Sequence, residues 1–456
     1  MASPLDVVIL AAGQGKRMHS ALPKVLHPLA GEPLAAHVLA TVRALGPRAI
    51  AVVVGHGAND VERALAAPDL AFVRQDPPRG TGDAARVALD ALPRDGITLV
   101  GLGDVPLVTS QALAGLAEIA QSGRLGVLTA RVRDPFGLGR IVRGPAGDVQ
   151  AIVEETDASP DVRAIAEINT GFIAAPTTRL SGWLSRLSAH NAQGEYYLTD
   201  IVALAVADGV PVEAHVVSDE TSILGINDRA QLAAVERIVQ RRKAATLMTA
   251  GTTIVDPERI DIRGKLECGR DVTIDVGCIF EGRVRLGDRA RVGPYCVLRD
   301  VSVGADTRIE AFSHLERAAI GVDCRVGPYA RLRPGTELAD DVHIGNFVEV
   351  KASTLGKGSK ANHLAYVGDA TVGSRVNYGA GSITANYDGA NKHRSVIGDD
   401  AHIGSNCVLV APITVGAGAT IGGGSTIVKE APAGQLTLAR ARQVSHARWQ
   451  RPRKKG

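Results

Sequence analysis

A loop near the N-terminus combines glycines with cations in a pattern that could hold an anion. Residues 7–18, VVILAAGQGKRM, begin as an aliphatic run, pass through Gly13 and Gly15, and reach two cations, the second of which is Arg17; Lys24 follows shortly after. Glycines let a backbone approach an anion closely, and successive N–H groups together with a cation can hold a phosphate. The loop is neither a P-loop nor a dinucleotide-binding fingerprint, since methionine stands where the third glycine of the fingerprint would fall. An ordinary strand-to-helix turn is the alternative, and the cations favour phosphate binding over it.

The charge balance argues against a nucleic-acid or membrane partner. The 456 residues hold 51 Lys and Arg against 48 Asp and Glu, a formal net charge of +3, which gives no overall electrostatic footprint for either. Only the C-terminal tail is strongly basic. After Glu430 there is no acidic residue, and seven cations follow, namely Arg440, Arg442, Arg448, Arg451, Arg453, Lys454 and Lys455. Such a tail is typical of a solvated, disordered segment, and contact with an anionic ligand is the alternative.

Cysteine usage and hydropathy predict the compartment. The five cysteines are an odd number without any C-x-x-C spacing, which favours neither a zinc site nor a disulfide framework. A strand is predicted close to the N-terminus, without a basic and then apolar leader, and no apolar run approaches the ~18 residues of a membrane span. We therefore expect a soluble cytoplasmic protein.

The segment 1–227 has the pattern of an α/β domain. Apolar runs at 7–10, 50–54 and 98–102 alternate with helical patterns at 34–44 and 80–91. This alternation predicts a mainly parallel sheet, whose ligands gather at the carboxyl ends of the strands. The glycine loop follows such an end.

The segment 228–251 is predicted to form one long linker helix. Asp228 and Gln231 have the spacing of a capping box, and Gly251 supplies a stop. Between them lies an apolar stripe of Leu232, Val235, Ile238 and Val239.

In the segment 252–456 the hydrophobic period becomes six. Aliphatic or similar residues recur at six-residue steps in three series, which are Ile262, Cys268, Ile274, Phe280, Leu286, Val292 and Leu298; Val326, Leu332, Leu338, Ile344 and Val350; and Ile397, Ile403, Leu409, Val415, Ile421 and Ile427. Hexapeptide periodicity predicts a parallel β-helix, in which one apolar residue per flat side points inward. The period slips to five after Leu298, Leu315 and Val350. Insertions that interrupt the coil are predicted at 357–365 and 386–395, where loops would carry a site.

Six motifs give the chain a family resemblance. In chain order they are LAAGQGKRM (10–18), GDVP (103–106), NTG (169–171), NAQGEYYLTD (191–200), GNFVEVK (345–351) and NYDGANK (386–392). Together they closely resemble the bacterial bifunctional N-acetylglucosamine-1-phosphate uridyltransferase/glucosamine-1-phosphate acetyltransferases. The resemblance spans essentially the whole chain. It implies a Rossmann-like nucleotidyltransferase domain, then a left-handed parallel β-helix, and a homotrimer with the acyltransferase site between subunits.

The resemblance implies a uridyltransferase site in the first domain. There the sugar-phosphate oxygen attacks the α-phosphorus of UTP, and catalysis depends on positioning, cations and a metal because two polyanions must meet. Arg17 and Lys24 are implied to neutralise the phosphates. The residues implied to bind nucleotide or sugar are Leu10, Ala11, Ala12, Gly13, Gln75, Gly80, Thr81, Gly103, Gly139, Glu154, Asn169 and Asn227. Leu102 departs from the family pattern, since several relatives have tyrosine there.

Asp104 and Asn227 are the implied ligands of Mg²⁺. A hard cation that keeps most of its waters needs only one or two protein oxygens. Taken singly, Asp104 is typical of a strand-end turn and Asn227 of a helix cap. Because both match the family pattern, the metal site is favoured.

The resemblance implies an acetyltransferase site on the β-helix. His363 matches the proposed general base, for which imidazole is suited by a pKa near 6.5; most of the 12 histidines are expected to be structural or solvated. The residues implied to bind the amino-sugar phosphate are Arg333, Lys351, Tyr366, Asn377 and Lys392, with Asn386 and Tyr387 beside the amino sugar. Acetyl-CoA is implied to contact Ala380, Asn386, Tyr387, Ser405, Gly423 and Arg440. A solvated solenoid face is the alternative for Arg333, Lys351, Tyr366 and Lys392, above all for Lys392.

Two rival functions follow from the same sequence. One is a monofunctional sugar nucleotidyltransferase whose β-helix serves assembly or regulation, and the intact set around His363 and Lys392 argues against it. The other is a sugar-nucleotide-binding regulator without turnover, and the retained Lys24, Asp104 and Asn227 argue against that.

Overall fold

The computed structural model describes residues 3–454 and divides the chain into two compact units, whose boundary lies between Val239 and Gln240. Lys455, counted in the predicted basic tail, lies outside the described residues. The five cysteines are free thiols, and four of them are buried. Burial raises the pKa of Cys278 to about 11 and that of Cys296 to about 12, so both are held as thiols. Among the described helices, none is long and apolar enough to cross a membrane.

The N-terminal unit is an α/β fold around one mixed sheet. Its strands are β1 (Leu5–Ala11), β2 (Pro28–Leu29), β3 (Glu32–Pro33), β4 (Ala49–Val54), β5 (Leu70–Arg74), β6 (Ile97–Leu102), β7 (Leu125–Arg131), β8 (Arg140–Arg143), β9 (Val149–Val153), β10 (Glu167–Pro176) and β11 (Val212–Val217). Its α-helices are α1 (Leu34–Arg43), α2 (Ala58–Leu65), α3 (Thr81–Leu89), α4 (Ser110–Gln121), α5 (Pro160–Arg163), α6 (Thr177–Leu184), α7 (Ile201–Ala207) and α8 (Arg229–Thr249), the last of which runs on into the second unit. Short 3₁₀ turns lie at Lys16–Met18, Lys24–Leu26, Leu198–Asp200 and Glu220–Ile223.

The sheet is mainly parallel, as the alternating pattern predicts. Its order is β11-β7-β10-β6-β1-β4-β5, and β1 pairs in parallel with both β4 and β6. Strand β10 is the exception, since it runs antiparallel to β6 and β7, and the β8–β9 hairpin joins the sheet through it.

Burial on both faces explains the uninterrupted apolar run of β1. Val7 and Ile9 pack into one hydrophobic cluster, while Val8 and Leu10 pack into another. Successive side chains of a strand point to opposite faces, so a sheet covered on both sides needs apolar residues at every position. The polar loop begins where this cover ends, at Ala12.

Helix α8 starts on the predicted capping interaction. The Gln231 backbone N–H donates to Asp228 Oδ1 (2.8 Å), and the Asn227 N–H donates to Gln231 Oε1 (2.7 Å). The helix buries Val235 and Val239, with Leu232 and Ile238 partly buried beside them. Asn227 is thereby fixed at the helix start.

The C-terminal unit is a left-handed parallel β-helix of short strands in two continuous sheets. One sheet contains Thr253–Ile254, Thr273–Ile274, Arg291–Val292, Arg308–Ile309, Arg325–Val326, His343–Asn346, Lys360–His363, Asn377–Tyr378, His402–Ile403, Thr420–Ile421 and Leu436–Thr437. The other contains Asp261–Cys268, Ile279–Leu286, Val297–Arg299, Ser302–Val303, His314–Glu316, Ala318–Ile320, Arg331–Leu332, Thr336–Leu338, Glu349–Lys351, Thr354–Leu355, Tyr366–Gly368, Ala370–Val372, Ile383–Ala385, Ser395–Ile397, Val408–Val410, Ile413–Val415 and Thr426–Ile427.

The six-residue steps correspond to the inward positions of the coil. Of the three predicted series, all residues are buried except Cys268, which is partly buried. The strands pair in register from coil to coil, as when Phe280 pairs with Leu298 of the next coil. A five-residue step shortens one side without disturbing this register, because Leu298 pairs in turn with Leu315.

One of the two predicted insertions is wrong. The segment 357–365 forms no extra loop, because Ala361 is buried at the inward position and pairs with Ile344 of the preceding coil. A small residue at that position hid the period. The insertion at 386–395 is real, since Val372 pairs with Ile397 and the whole inserted segment lies between these two partners.

Candidate active sites

The N-terminal unit has a cleft of about 490 Å³ at the carboxyl ends of β1 and β6. Parallel neighbours end at the same edge of a sheet, which brings the glycine loop together with distant segments. Nine sequence-predicted residues line this cleft, namely Leu10, Ala11, Ala12, Gly13, Lys24, Gln75, Gly80, Thr81 and Asp104.

A second cleft of about 240 Å³ adjoins the first. Four further predicted residues line it, namely Gly139, Glu154, Asn169 and Asn227. Thr81, Leu102 and Asp104 line both clefts, so the two form a continuous double cleft with Asp104 at the junction. Leu102, the departure from the family pattern, presents an aliphatic side chain to both halves.

Two oxygen ligands and one ammonium converge at the junction. Lys24 Nζ donates to Asp104 Oδ2, and it also donates to Asn227 Oδ1 at 3.1 Å. The side chains of Lys24 and Asp104 are 14% and 15% exposed. A carboxylate and an amide oxygen that share one ammonium lie close enough to share a divalent cation, and both are hard oxygen donors of the kind Mg²⁺ takes.

The side-chain amide nitrogen of Gln75 is fixed by two hydrogen bonds within the protein. Its Nε2 donates to the Gly80 carbonyl (3.0 Å) and to Asp83 Oδ2 (2.9 Å), so both amide protons are used inside the protein. The carbonyl oxygen remains as the group that Gln75 can offer to a ligand. Burial alone raises the pKa of Asp83, yet the hydrogen bonds from Gln75 and Arg86 outweigh it and hold that pKa below its usual range.

The second cleft is lined by groups that suit a sugar. The Asn169 backbone N–H donates to the Gly139 carbonyl (2.8 Å), and Thr199 Oγ1 donates to Glu154 Oε1 (3.1 Å). A Cβ on Gly139 would lie 3.2 Å from Glu154 Oε2, so glycine lets the two segments approach closely. Burial raises the pKa of the Glu154 carboxyl, and the nearby Asp200 and Asp157 charges add to it, against the Thr199 hydrogen bond.

Two predicted residues of the first domain do not line either cleft. Arg17 is exposed in the 3₁₀ turn Lys16–Met18. Gly103 is buried, and its N–H donates to the Leu10 carbonyl (3.0 Å), which joins the ends of β1 and β6. Lys16 and Glu195 do line the first cleft and were not predicted as ligands, although both stand inside quoted motifs.

On the β-helix, one group of predicted residues forms a cationic cluster. Arg333 Nη1 donates to Glu349 Oε1 (2.8 Å), and Lys351 Nζ donates to Asp369 Oδ2 (3.2 Å). Asn386 Nδ2 donates to the same Asp369 oxygen and lies 3.5 Å from the Tyr366 hydroxyl. With Lys392, the cluster has three cationic side chains against two carboxylates, those of Glu349 and Asp369.

Lys392 reaches the cluster from the inserted loop. The approach of the Lys351 ammonium lowers the pKa of Lys392, as two adjacent cations do. Asp388 holds this loop together, since its carboxylate accepts from the backbone N–H groups of Ala390 (2.8 Å) and Asn391 (2.6 Å) and pairs with His393 Nε2 (2.6 Å). These bonds keep the pKa of Asp388 well below its usual range.

His363 lies on another edge of the coil with a partner that the sequence did not suggest. Its Nδ1 lies 3.1 Å from Asn346 Oδ1, and the two residues pair between neighbouring strands. The Asn346 oxygen can only accept, so this bond places a proton on Nδ1 and leaves Nε2 free to act as a base. Asn346 stands in the GNFVEVK motif, and only the register brings it to His363.

The predicted acetyl-CoA residues continue along that edge, one per coil. The His363 carbonyl accepts from the Gly381 N–H (3.3 Å), and the carbonyl of Ala380 accepts from Asn406 (2.8 Å). The Ser405 carbonyl accepts from Gly424 (2.8 Å), and Arg440 Nη1 donates to the Gly423 carbonyl (2.8 Å).

The structure thus separates the predicted acetyltransferase residues into two groups. One is the cationic cluster with the loop that carries Tyr387 and Lys392, and the other is the His363 edge. Asn377 belongs to the same sheet as His363 and lies 3.3 Å from His402.

Two family models match parts of the chain. Residues 7–194 match the family of MobA-like NTP transferase domains, and residues 394–429 match the bacterial transferase hexapeptide family of six repeats. A nucleotidyl transferase of known structure from Methanothermobacter thermautotroptrophicus is 22% identical and aligns with a TM-score of 0.38, over 52% of this chain and 99% of its own.

Full-length relatives match both units at once. The chain is 57% identical to the bifunctional protein GlmU of Ralstonia pickettii over 98% of each chain. It is 58% identical to the bifunctional protein GlmU of Methylibium petroleiphilum over 99% of this chain and 100% of that one. The chain therefore belongs to the family of bifunctional GlmU proteins, transferases that combine a uridyltransferase and an acetyltransferase activity in one polypeptide.

Proposed function

We propose that the double cleft performs the uridyl transfer and that the β-helix performs the acetyl transfer of one two-step route to UDP-N-acetylglucosamine, a cell-wall precursor. Acetyl-CoA and glucosamine-1-phosphate give N-acetylglucosamine-1-phosphate, which then reacts with UTP. The functional domains would be residues 1–227 and 252–456, with 228–251 as linker. The shared position of Asp104 between the two clefts is the observation that carries the first assignment, because a nucleotide and a sugar phosphate must meet at one metal-binding point.

In the uridyl transfer, the sugar-phosphate oxygen forms a bond to the α-phosphorus of UTP, and the bridging bond to the β-phosphate breaks to release pyrophosphate. Gln75, with Gly80 and Thr81, would read the base, since its free carbonyl oxygen suits the N–H of uracil. Glu154, Asn169 and Gly139 would hold the sugar. Lys24 would neutralise the phosphates at the junction, and Arg17 would need to move inward to assist it.

Asp104 and Asn227 would bind Mg²⁺, which would offset the negative charge of the phosphates. The convergence of their oxygens on the Lys24 ammonium supports this assignment. Lys24 would then turn from these two residues toward the phosphates.

In the acetyl transfer, His363 Nε2 would take the proton of the amine as nitrogen bonds to the thioester carbonyl, and the carbon–sulfur bond would break to release coenzyme A. Arg333, Lys351 and Lys392 would clamp the phosphate, with Tyr366, Asn377 and Asn386 around the amino sugar. Tyr387, Ala380, Ser405, Gly423 and Arg440 would contact acetyl-CoA. The free Nε2 left by the Asn346 contact supports the role of His363.

A homotrimer would complete this second site. His363 belongs to one sheet of the coil, while Lys351 and Tyr366 of the cationic cluster belong to the other, so a neighbouring copy could complete either group. An exposed apolar ladder offers such a copy a surface, since Tyr295, Phe312, Tyr329 and Phe347 stack at ring-centroid distances of 5.4, 5.0 and 5.3 Å. The enzyme would work in the cytoplasm, where UTP and acetyl-CoA are found.

A coupled assay tests the whole proposal. The full-length protein receives glucosamine-1-phosphate with acetyl-CoA, and free thiol is measured; UTP and Mg²⁺ follow, and pyrophosphate is measured. We expect thiol release first and Mg²⁺-dependent pyrophosphate release second. Pyrophosphate release from added N-acetylglucosamine-1-phosphate without any thiol release would identify the monofunctional rival, and neither product would favour the non-enzymatic regulator.

A further inference from the structure

An ion pair between a buried arginine and a partly buried glutamate lies beside the sugar cleft without lining it. The Arg140 side chain is 2% exposed, and its Nη2 donates to Glu155 Oε2 at 2.7 Å. Its other nitrogens donate to backbone carbonyls, Nη1 to Leu138 and Nε to Arg163 (3.3 Å). A buried charge persists only where it is paired and its hydrogen bonds are satisfied, and this arginine meets both conditions.

The same pair fixes the loop that closes one side of the cleft. Glu155 Oε2 also accepts from the Gly137 backbone N–H at 3.2 Å. Gly137, Leu138 and Gly139 all line the second cleft. Two of these three residues are therefore bonded directly to the ion pair through their backbone.

Each proposed sugar ligand is a chain neighbour of this network. Gly139 precedes Arg140, and Glu154 precedes Glu155. Asn169 follows Ile168, which pairs with Arg140 between β10 and β8, and the Asn169 N–H donates to the Gly139 carbonyl. The Arg140 guanidinium thus joins the first two of these segments, and the third pairs with the Arg140 backbone.

We propose that Arg140 and Glu155 are positioning residues that set the sugar-phosphate affinity of the uridyltransferase. This inference rests on the proposed sugar site. Arginine is required because its planar fork bonds the carboxylate and two carbonyls at once, which the single ammonium of lysine cannot reproduce. Loss of the Arg140–Glu155 contact would displace both the Gly137–Gly139 loop and the Glu154 carboxylate. The residues that line the nucleotide cleft would stay in place.

The test uses the full-length chain with Arg140→Lys and, separately, Glu155→Gln. KM is measured for N-acetylglucosamine-1-phosphate and for UTP, and acetyl transfer by the same preparation reports on the integrity of the other unit. We expect the KM for the sugar phosphate to rise roughly ten- to hundredfold, the effect of losing hydrogen bonds to a charged group. The KM for UTP and the acetyl transfer rate should stay within about twofold of the parent.

Arg143→Lys is the matched control. Arg143 lies on the same strand and also bonds a carboxylate, Glu167, at 2.9 and 2.6 Å. Neither Glu167 nor its other partner, the Gly147 carbonyl, lines the cleft, whereas the Arg140–Glu155 pair bonds cleft-lining residues. An equal rise in both KM values, a sugar KM unchanged in both variants, or an equal effect of Arg143→Lys would overturn the proposal. Glu154→Ala separates the two hypotheses, because if it leaves the sugar KM unchanged the proposed sugar site itself is wrong.

Discussion

The two candidate sites are built in opposite ways. The α/β unit gathers residues from positions 10 to 227 into one double cleft, because neighbouring parallel strands end at the same edge. The β-helix instead sets its residues along its edges, one per coil, as Asn346, His363, Ala380 and Ser405 follow one another. The α/β cleft is enclosed by one chain, whereas the residues of the β-helix stand along its coils, and we propose that a second copy completes their site.

The largest change in rate is expected from a substitution of His363 on the β-helix. His363→Ala should slow acetyl transfer by about 10²–10⁴-fold, the usual contribution of a general base, and leave uridyl transfer unchanged. Thiol release and pyrophosphate release from one preparation measure both. His314→Ala, an exposed histidine of the same unit, is the control. An unchanged acetylation rate would rule out His363 as the base.

The matching change in the enclosed cleft is Asp104→Ala. It removes the carboxylate at the junction of the two clefts and should lower uridyl transfer by about 10²–10³-fold, with acetyl transfer intact. Asp60→Ala, which changes an exposed residue on α2 of the same unit, should change neither rate. Loss of both activities in a folded Asp104 variant would contradict the separation of the two sites.

Mixing variants tests whether each site belongs to one chain or to several. One preparation carries His363→Ala and the other carries Lys392→Ala, and the two are unfolded and refolded together. If two copies supply the two residues of one site, about a quarter of the sites receive both intact residues and regain acetyl transfer. A parallel mixture of Asp104→Ala and Glu154→Ala should regain no uridyl transfer. If both mixtures regain activity, or neither does, the two sites do not differ in the number of copies that form them.

A smaller effect is expected at Asn346. Asn346→Ala removes the acceptor that keeps the proton on His363 Nδ1, and a net hydrogen bond of about 0.5–1.5 kcal/mol corresponds to a roughly two- to tenfold loss of acetyl transfer. An unchanged acetyl transfer rate in Asn346→Ala would contradict a role for Asn346 in orienting His363.

The smallest effect concerns stability and is specific to the enclosed site. Burial raises the pKa of Glu154, so its ionised form is disfavoured in the folded protein. Glu154 makes its full contribution to the free energy of unfolding below pH 4.5, the ordinary pKa of glutamate. This contribution is lost as the pH rises through the higher pKa that Glu154 has in the folded protein. Glu154→Gln should therefore raise the melting temperature on the order of 2 °C at about pH 7.5. The gain should shrink toward about pH 5, and an equal gain at both pH values would exclude ionisation as the cause.

The six-residue hydrophobic period predicted most inward positions of the β-helix correctly, but it failed where a small residue occupies an inward position. The six-residue period identified inward positions from Ile274 to Ile427, because each coil repeats one residue requirement. It missed the coil through Ala361, where alanine fills the inward position and looks like an interruption. The antiparallel course of β10 was equally invisible, since an apolar run does not encode strand direction.

Periodicity was enough to predict the fold class, and the motifs supplied the family resemblance that implies the two chemistries, because both are local properties that survive in a linear string. The folded chain was needed to learn that Asp104 joins two clefts, that Asn346 accompanies His363, and that the Arg140–Glu155 pair gathers three segments. These contacts join residues that are distant along the chain, as when Lys24 meets Asn227. Such contacts depend on strand order and register, which follow from how side chains pack against each other across the whole fold.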